Sequence, residues 1–113
     1  MPLDRQQIAR DFARAVNLDA AELCAWLRTP ESRLVGFKAD AGQESIGHAS
    51  GRRIVEILVT GNDALSADDY AHMRRVVGYV ARHSPQRPQN IYTSRWRYSL
   101  MNWGHDPLKE DDR

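Results

Sequence analysis

Only one run in this chain reads as a β-strand. Ile54-Val55-Glu56-Ile57-Leu58-Val59-Thr60 has the branched, apolar character that suits a pleated sheet. The other residues supply no second run to pair with it, and a lone strand leaves its backbone polar groups without partners. The same residues also fit a helix. Ile46, Ser50, Ile54 and Leu58 trace an i,i+4 row, joined by Ile57. Residues 46–60 are therefore read as helix. Their wide apolar coverage places this helix at the centre of a core, and Gly61-Asn62 ends it.

The remaining apolar residues also recur at helical spacing. A first helix is expected from about Asp4 to Val16, with Leu3, Ile8, Phe12, Ala15 and Val16 on one side and Arg5, Asp11 and Arg14 on the other. Asp19 with Glu22 three residues later reads as a capping box for a second helix carrying Leu23, Trp26 and Leu27. Thr29-Pro30 should end it, because the residue before proline is pushed out of the helical region. Residues 29–45 read as a long loop that only Leu34, Val35 and Phe37 could pin to the body. After the helix over 46–60, Ser66 with Asp69 opens a fourth helix running to about His83, with Met73, Val76, Val77 and Val80 as its core stripe. Residues 84–93 form a linker. A last helix starts near Ser94 and stops before Gly104, with Trp96, Leu100 and Trp103 on the face that docks it. The tail from 109 to 113 is expected to fray. The fold class is all-α: a compact single-domain bundle of about five helices, with the helices over 46–60 and 67–83 at its centre.

The charge pattern is uneven. Residues 1–69 hold eight basic and eleven acidic side chains, a balance of −3. Between Asp69 and Asp106 there is no acidic side chain but six arginines, a balance of +6. Residues 106–113 hold two basic and four acidic side chains, a balance of −2. The basic block is interleaved with Tyr70, Tyr79, Tyr92, Trp96, Tyr98 and Trp103. His72, Arg75, Tyr79 and Arg82 fall at spacings of three, four and three and should share an exposed face of the fourth helix. Arg95, Tyr98 and Asn102 should share a face of the last helix, with Arg97 flanking. Guanidinium groups pair bidentately with phosphate and aromatic rings stack on bases, so these faces form a candidate nucleic-acid surface. The bland alternative is a solvated helix face, with Arg82 and His83 complementing the helix dipole.

Other constellations are weaker. A helix-turn-helix built from 46–60 and 67–83 has too long a connection, Gly61 to Ser66. Its recognition helix would also open on Ala67-Asp68-Asp69, whose carboxylates repel phosphate. His48, His72, His83 and His105 show no metal-ligand spacing, and the scattered glycines form no phosphate loop. His105-Asp106 sits in a helix-stop sequence, and Cys24 lacks an identifiable third group for nucleophilic chemistry. The expectation is a non-enzymatic protein with no cofactor. The lone cysteine, the lack of an apolar signal-peptide core and the lack of a run of about 20 apolar residues favour a cytoplasmic protein away from the membrane.

The ending Ser94-Arg95-Trp96-Arg97-Tyr98-Ser99-Leu100-Met101-Asn102-Trp103-Gly104-His105-Asp106-Pro107-Leu108-Lys109 resembles that of a small bacterial and fungal family known as a domain of unknown function, number 3140. Asn17-Leu18-Asp19-Ala20-Ala21-Glu22-Leu23 leading to Trp26-Leu27-Arg28-Thr29, and the central Gly51-Arg52-Arg53-Ile54-Val55-Glu56-Ile57-Leu58, are similar as well. The resemblance covers nearly the whole chain and assigns no catalytic residue. Members of that family are sometimes labelled DNA-binding. Physically, Gly104-His105-Asp106-Pro107 reads as a helix stop that folds the tail onto the domain.

The functional expectation is a nucleic-acid-binding protein, most simply DNA-binding. Arg75, Arg82, Arg95 and Arg97 would contact phosphates, and Tyr79 and Tyr98 would stack or flank. The alternative is a protein-interaction or homo-oligomerisation module, in which Leu34, Val35 and Phe37, or Trp103, would form an exposed apolar patch.

Overall fold

The computed structural model describes residues 4–38 and 42–110, and every regular element in them is helical. The end of the expected tail, 111–113, and part of the expected loop, 39–41, lie outside the described residues. The five long helices match the sequence expectation, because their start and stop signals are local. Asp4 accepts a hydrogen bond from the Gln7 amide and opens α1 (Arg5–Ala15). Asp19 and Glu22 form the reciprocal capping box that opens α2 (Ala20–Leu27). Ser45 caps α4 (Ile46–Thr60), and Ser66 with Asp69 forms a second capping box at α5 (Ala67–His83). Ser94 caps α6 (Arg95–Asn102). None of these helices is long and apolar enough to cross a membrane.

Two expectations need correction. The stretch from 29 is not all loop: Thr29 accepts from the Ser32 amide and Pro30 takes the first helical position of a short α3 (Pro30–Leu34). Proline stops the preceding helix but is well suited to start the next, since its missing N–H would be unsatisfied there anyway. The tail does not fray from 109. A single turn, α7 (Pro107–Glu110), follows the corner, and Lys109 Nζ donates to Asn17 O at 3.1 Å and to Glu22 Oε1 at 2.7 Å.

The core joins Ile8, Phe12 and Val16 of α1 to Tyr70, Met73, Val76 and Val80 of α5, and Leu23 and Leu27 of α2 to Ile54 and Ile57 of α4. The main packing partners are α1 with α5 and α2 with α4, while α4 and α5 touch only sparsely. The centre is thus two packed pairs, and α6 is wedged against α2, α3, α4 and α5. Gly51 marks the tightest approach. A Cβ added there would lie 2.6 Å from Asn102 O and 2.7 Å from Leu27 Cδ2.

The C-terminal corner folds back as expected. Gly104 takes φ +83°, open to glycine without strain, and its carbonyl accepts from the Asn17 and Leu18 amides. Asn17 and Asp106 exchange two hydrogen bonds: Asp106 N donates to Asn17 Oδ1 at 2.7 Å, and Asn17 Nδ2 donates to Asp106 O at 3.0 Å. His105 is buried and bonds Ala15 O through Nδ1 at 2.7 Å. A carbonyl only accepts, so that nitrogen carries the proton. The corner therefore staples the end of α6 to the α1–α2 turn.

Candidate nucleic-acid interface

The exposed face expected on α5 is not open along its length, because α6 lies against it. His72 is half-buried, bonded to Ser50 Oγ at 2.9 Å and stacked on Trp103. Burial, reinforced by the nearby Arg53 and Arg75 cations, lowers its pKa to about 4, against the smaller opposing effects of Ser50 and Asp69. Tyr79 lies 4.0 Å from the His83 ring and 4.3 Å from the Trp103 ring, centroid to centroid and nearly parallel to both. Two rings cannot share one face of a third at those distances, so they cover opposite faces of Tyr79. Burial raises the Tyr79 pKa, while Ser99 and Arg82 oppose that. Tyr79 is therefore a packing residue, contrary to the stacking role expected for it.

What α5 does leave open is its arginines. Arg75 and Arg82 are exposed, two turns apart, and line one cleft of ≈ 350 Å³ with Tyr79 and Trp103. Phe37, Ile46 at the start of α4 and Ser99 of α6 line the same cleft. Among the described residues no carboxylate is in ion-pair range of Arg74, Arg75 or Arg82. The basic residues of α4 differ. Arg52 and His48 both engage Glu44, whose pKa is lowered to about 2 chiefly by the Arg52 hydrogen bond, and Arg53 pairs with Asp69 at 3.3 Å.

The arginines of α6 are occupied. Arg97 grips Asp106 with two hydrogen bonds of 3.2 Å each and donates a third to Tyr92 O at 2.8 Å. Its charge is met inside the fold, which corrects its assignment to a free phosphate-binding face. Arg95 remains exposed but its Nη2 donates to Leu34 O at 3.1 Å, where a cation complements the last carbonyls of α3. It begins the stripe Arg95–Ser99–Asn102, whose later members reach the cleft. Tyr98 packs on Trp26, centroids 5.4 Å apart, and does not line the cleft.

Asn102 is also not on an exposed face. It is 1% exposed, and its Oδ1 accepts from Trp26 Nε1 at 2.7 Å and Ser32 Oγ at 2.5 Å while its Nδ2 donates to Ser32 O at 3.0 Å. Partners 70 and 76 residues away leave no local signal. Of the three loop residues expected to be either pins or a patch, Val35 is buried, whereas Leu34 is 65% and Phe37 71% exposed. Ile46, 56% exposed, extends the apolar rim, while Trp103 is buried. The residues weighed for catalysis have structural partners or burial: His105 bonds Ala15, Asp106 bonds Arg97, and Cys24 is half-buried on α2.

A family described as "Protein of unknown function (DUF3140)" matches residues 11–101, and the chain belongs to that family. The match ends just before the Asn102–Pro107 corner. No curated protein and no solved structure matches the chain.

Proposed function

We propose that this family member is a non-enzymatic cytoplasmic protein that binds nucleic acid, DNA in the simplest case, through the arginines of α5. The observation that carries the reading is the placement of Arg75 and Arg82 in one cleft with no carboxylate of the described residues in ion-pair range of either. An unpaired guanidinium pair in a concavity favours a polyanion, because it offers bidentate donors without a competing internal acid. Arg74 adds a third exposed cation on the same helix, and Arg95 stands at the neighbouring helix. Arg97 and the rings of Tyr79 and Tyr98 are left out of the contact set, since each is already engaged.

The test is a titration of labelled single- and double-stranded DNA and RNA at low and rising salt. Affinity should fall steeply with salt, and replacing both Arg75 and Arg82 with alanine should make the slope of log K against log salt shallower by about 2. Absence of binding at low salt refutes the reading. The exposed Leu34, Phe37 and Ile46 favour a second one, a protein-interaction or homo-oligomerisation face. That reading requires a dimer or larger species by light scattering at high concentration, and a monomer counts against self-association.

A further inference from the structure

We infer that the cleft between α4, α5 and α6 holds a single unpaired nucleotide segment, with Phe37 as its base platform and Arg75 and Arg82 as its phosphate clamp. The inference rests on the nucleic-acid reading above and narrows it from polyanion to single strand. Three observations carry it.

The first is the make-up of the cleft lining. It combines two exposed guanidinium groups, Arg75 and Arg82, with two exposed apolar side chains, Phe37 and Ile46. A nucleotide has the same two parts: a charged phosphate at one end and a π-faced base at the other. Base stacking on an aromatic ring tolerates any base, because every base has a π-face. Phe37 is the aromatic that suits this task. Tyr79 has a ring on each face, Tyr98 is against Trp26 and Trp103 is buried, but Phe37 is 71% exposed.

The second is that Phe37 is held in place despite its exposure. Gly36 turns the chain at φ +96°, and a Cβ there would meet Ser45 Oγ at 2.9 Å. The Phe37 carbonyl accepts from the Ile46 amide at 2.9 Å. The Phe37 backbone is thus anchored to the capped start of α4, which reduces the ordering cost of binding.

The third is size. Arg75 and Arg82 are separated by seven residues, about 10 Å along the helix axis. At about 3.4 Å of axial rise per phosphate along one strand, that is a reach of about three phosphate intervals. A cleft of ≈ 350 Å³ lies at the small end of ligand sites and admits a flipped or unpaired base, whereas a duplex keeps its bases stacked inside. Asp68 and Asp69 at the start of α5 also stop the basic track short, which disfavours a long duplex footprint.

The experiment measures fluorescence anisotropy of a labelled mixed-sequence 12-mer DNA at low salt, alone and annealed to its complement. The proteins are the wild type, Phe37→Ala, Phe37→Trp and the Arg75→Ala/Arg82→Ala double variant. The single strand should bind at least tenfold tighter than the duplex. Phe37→Ala should weaken single-strand binding by roughly 5- to 100-fold and leave duplex affinity unchanged, and Phe37→Trp should retain single-strand binding. Phe37 is exposed, so its replacement should leave the unfolding temperature unchanged, which circular dichroism checks. Equal affinity for both forms, with Phe37→Ala neutral and the double arginine variant weakened on both, overturns the single-strand inference and leaves the nucleic-acid reading standing. No binding of either form overturns both.

Discussion

His72 makes the fold acid-sensitive. Its imidazole is packed between Ser50 and Trp103 and faces Arg53, Arg75 and Asp69, and its pKa is lowered from 6.5 to about 4. Burial opposes the charged ring, and the two arginines add repulsion that exceeds the attraction of Asp69. In the unfolded chain the same histidine takes its proton near 6.5. Between 6.5 and about 4 the unfolded state therefore binds more protons than the folded one, so stability falls as pH falls through that window and this contribution levels off below it. At 1.36 kcal/mol per pH unit the gap corresponds to about 3 kcal/mol, and solvent screening at this half-buried site reduces that to about 2 kcal/mol. Urea unfolding followed by circular dichroism at pH 7.5 and pH 4.5 measures the loss. The control is His72→Gln, which keeps an acceptor for Ser50 but does not titrate. The wild type should lose about 2 kcal/mol more than the variant over that interval, and the excess should shrink as salt screens Arg53 and Arg75. Losses that agree within about 0.3 kcal/mol would refute the reasoning.

Two further substitutions separate packing from function. Gly51→Ala places a methyl 2.6 Å from a backbone oxygen of α6 and 2.7 Å from Leu27, so it should destabilise by about 1–3 kcal/mol, read as a lower urea midpoint. Arg97→Ala strips the buried Asp106 of its counter-charge and should cost about 2–4 kcal/mol of stability while leaving nucleic-acid affinity, measured well below the unfolding midpoint, unchanged. Loss of affinity with intact stability would instead return Arg97 to the binding surface.

The parts of this fold legible in the sequence are those decided within four residues. Asp19 with Glu22 and Ser66 with Asp69 announce their helices because a cap is a local hydrogen bond. The helix over 46–60 was legible by elimination, since its strand-like residues had nothing to pair with. Thr29-Pro30 was legible only in part: the same dipeptide closes α2 and opens α3, and a stop signal hides the start that follows it. The candidate site was half legible. Spacing put Arg75 and Arg82 on one face, and the cleft bears that out. Spacing could not reveal that Trp103 at the end of α6 would stack on Tyr79, or that Phe37, from a segment 38 residues earlier than Arg75, would line the same cleft. Asn102 was misplaced for the same reason. Its helical phase allowed an exposed face, but a buried amide satisfied by Trp26 and Ser32 depends on tertiary contacts.

The fate of the arginine block turns on where the nearest acids fold. The acid-free stretch ends at Asp106, and that carboxylate returns onto Arg97 as part of the corner that ties α6 to Asn17. Arg95 finds a carbonyl at the end of α3. The arginines of α5 lie away from the corner, and the acids nearest in sequence, Asp68 and Asp69, are drawn to the opposite end of their own helix, where Asp69 is held by Ser66 and Arg53. With Asp68 and Asp69 in its first turn and Arg82 in its last, α5 satisfies its own dipole, while Arg74 and Arg75 stand at its middle. Arg75, Tyr79, Arg82 and His83 of α5 line the cleft, as does Phe37. Arg82, which complements the helix dipole, and Arg75, two turns before it, thus share one cleft with no carboxylate of the described residues in ion-pair range of either.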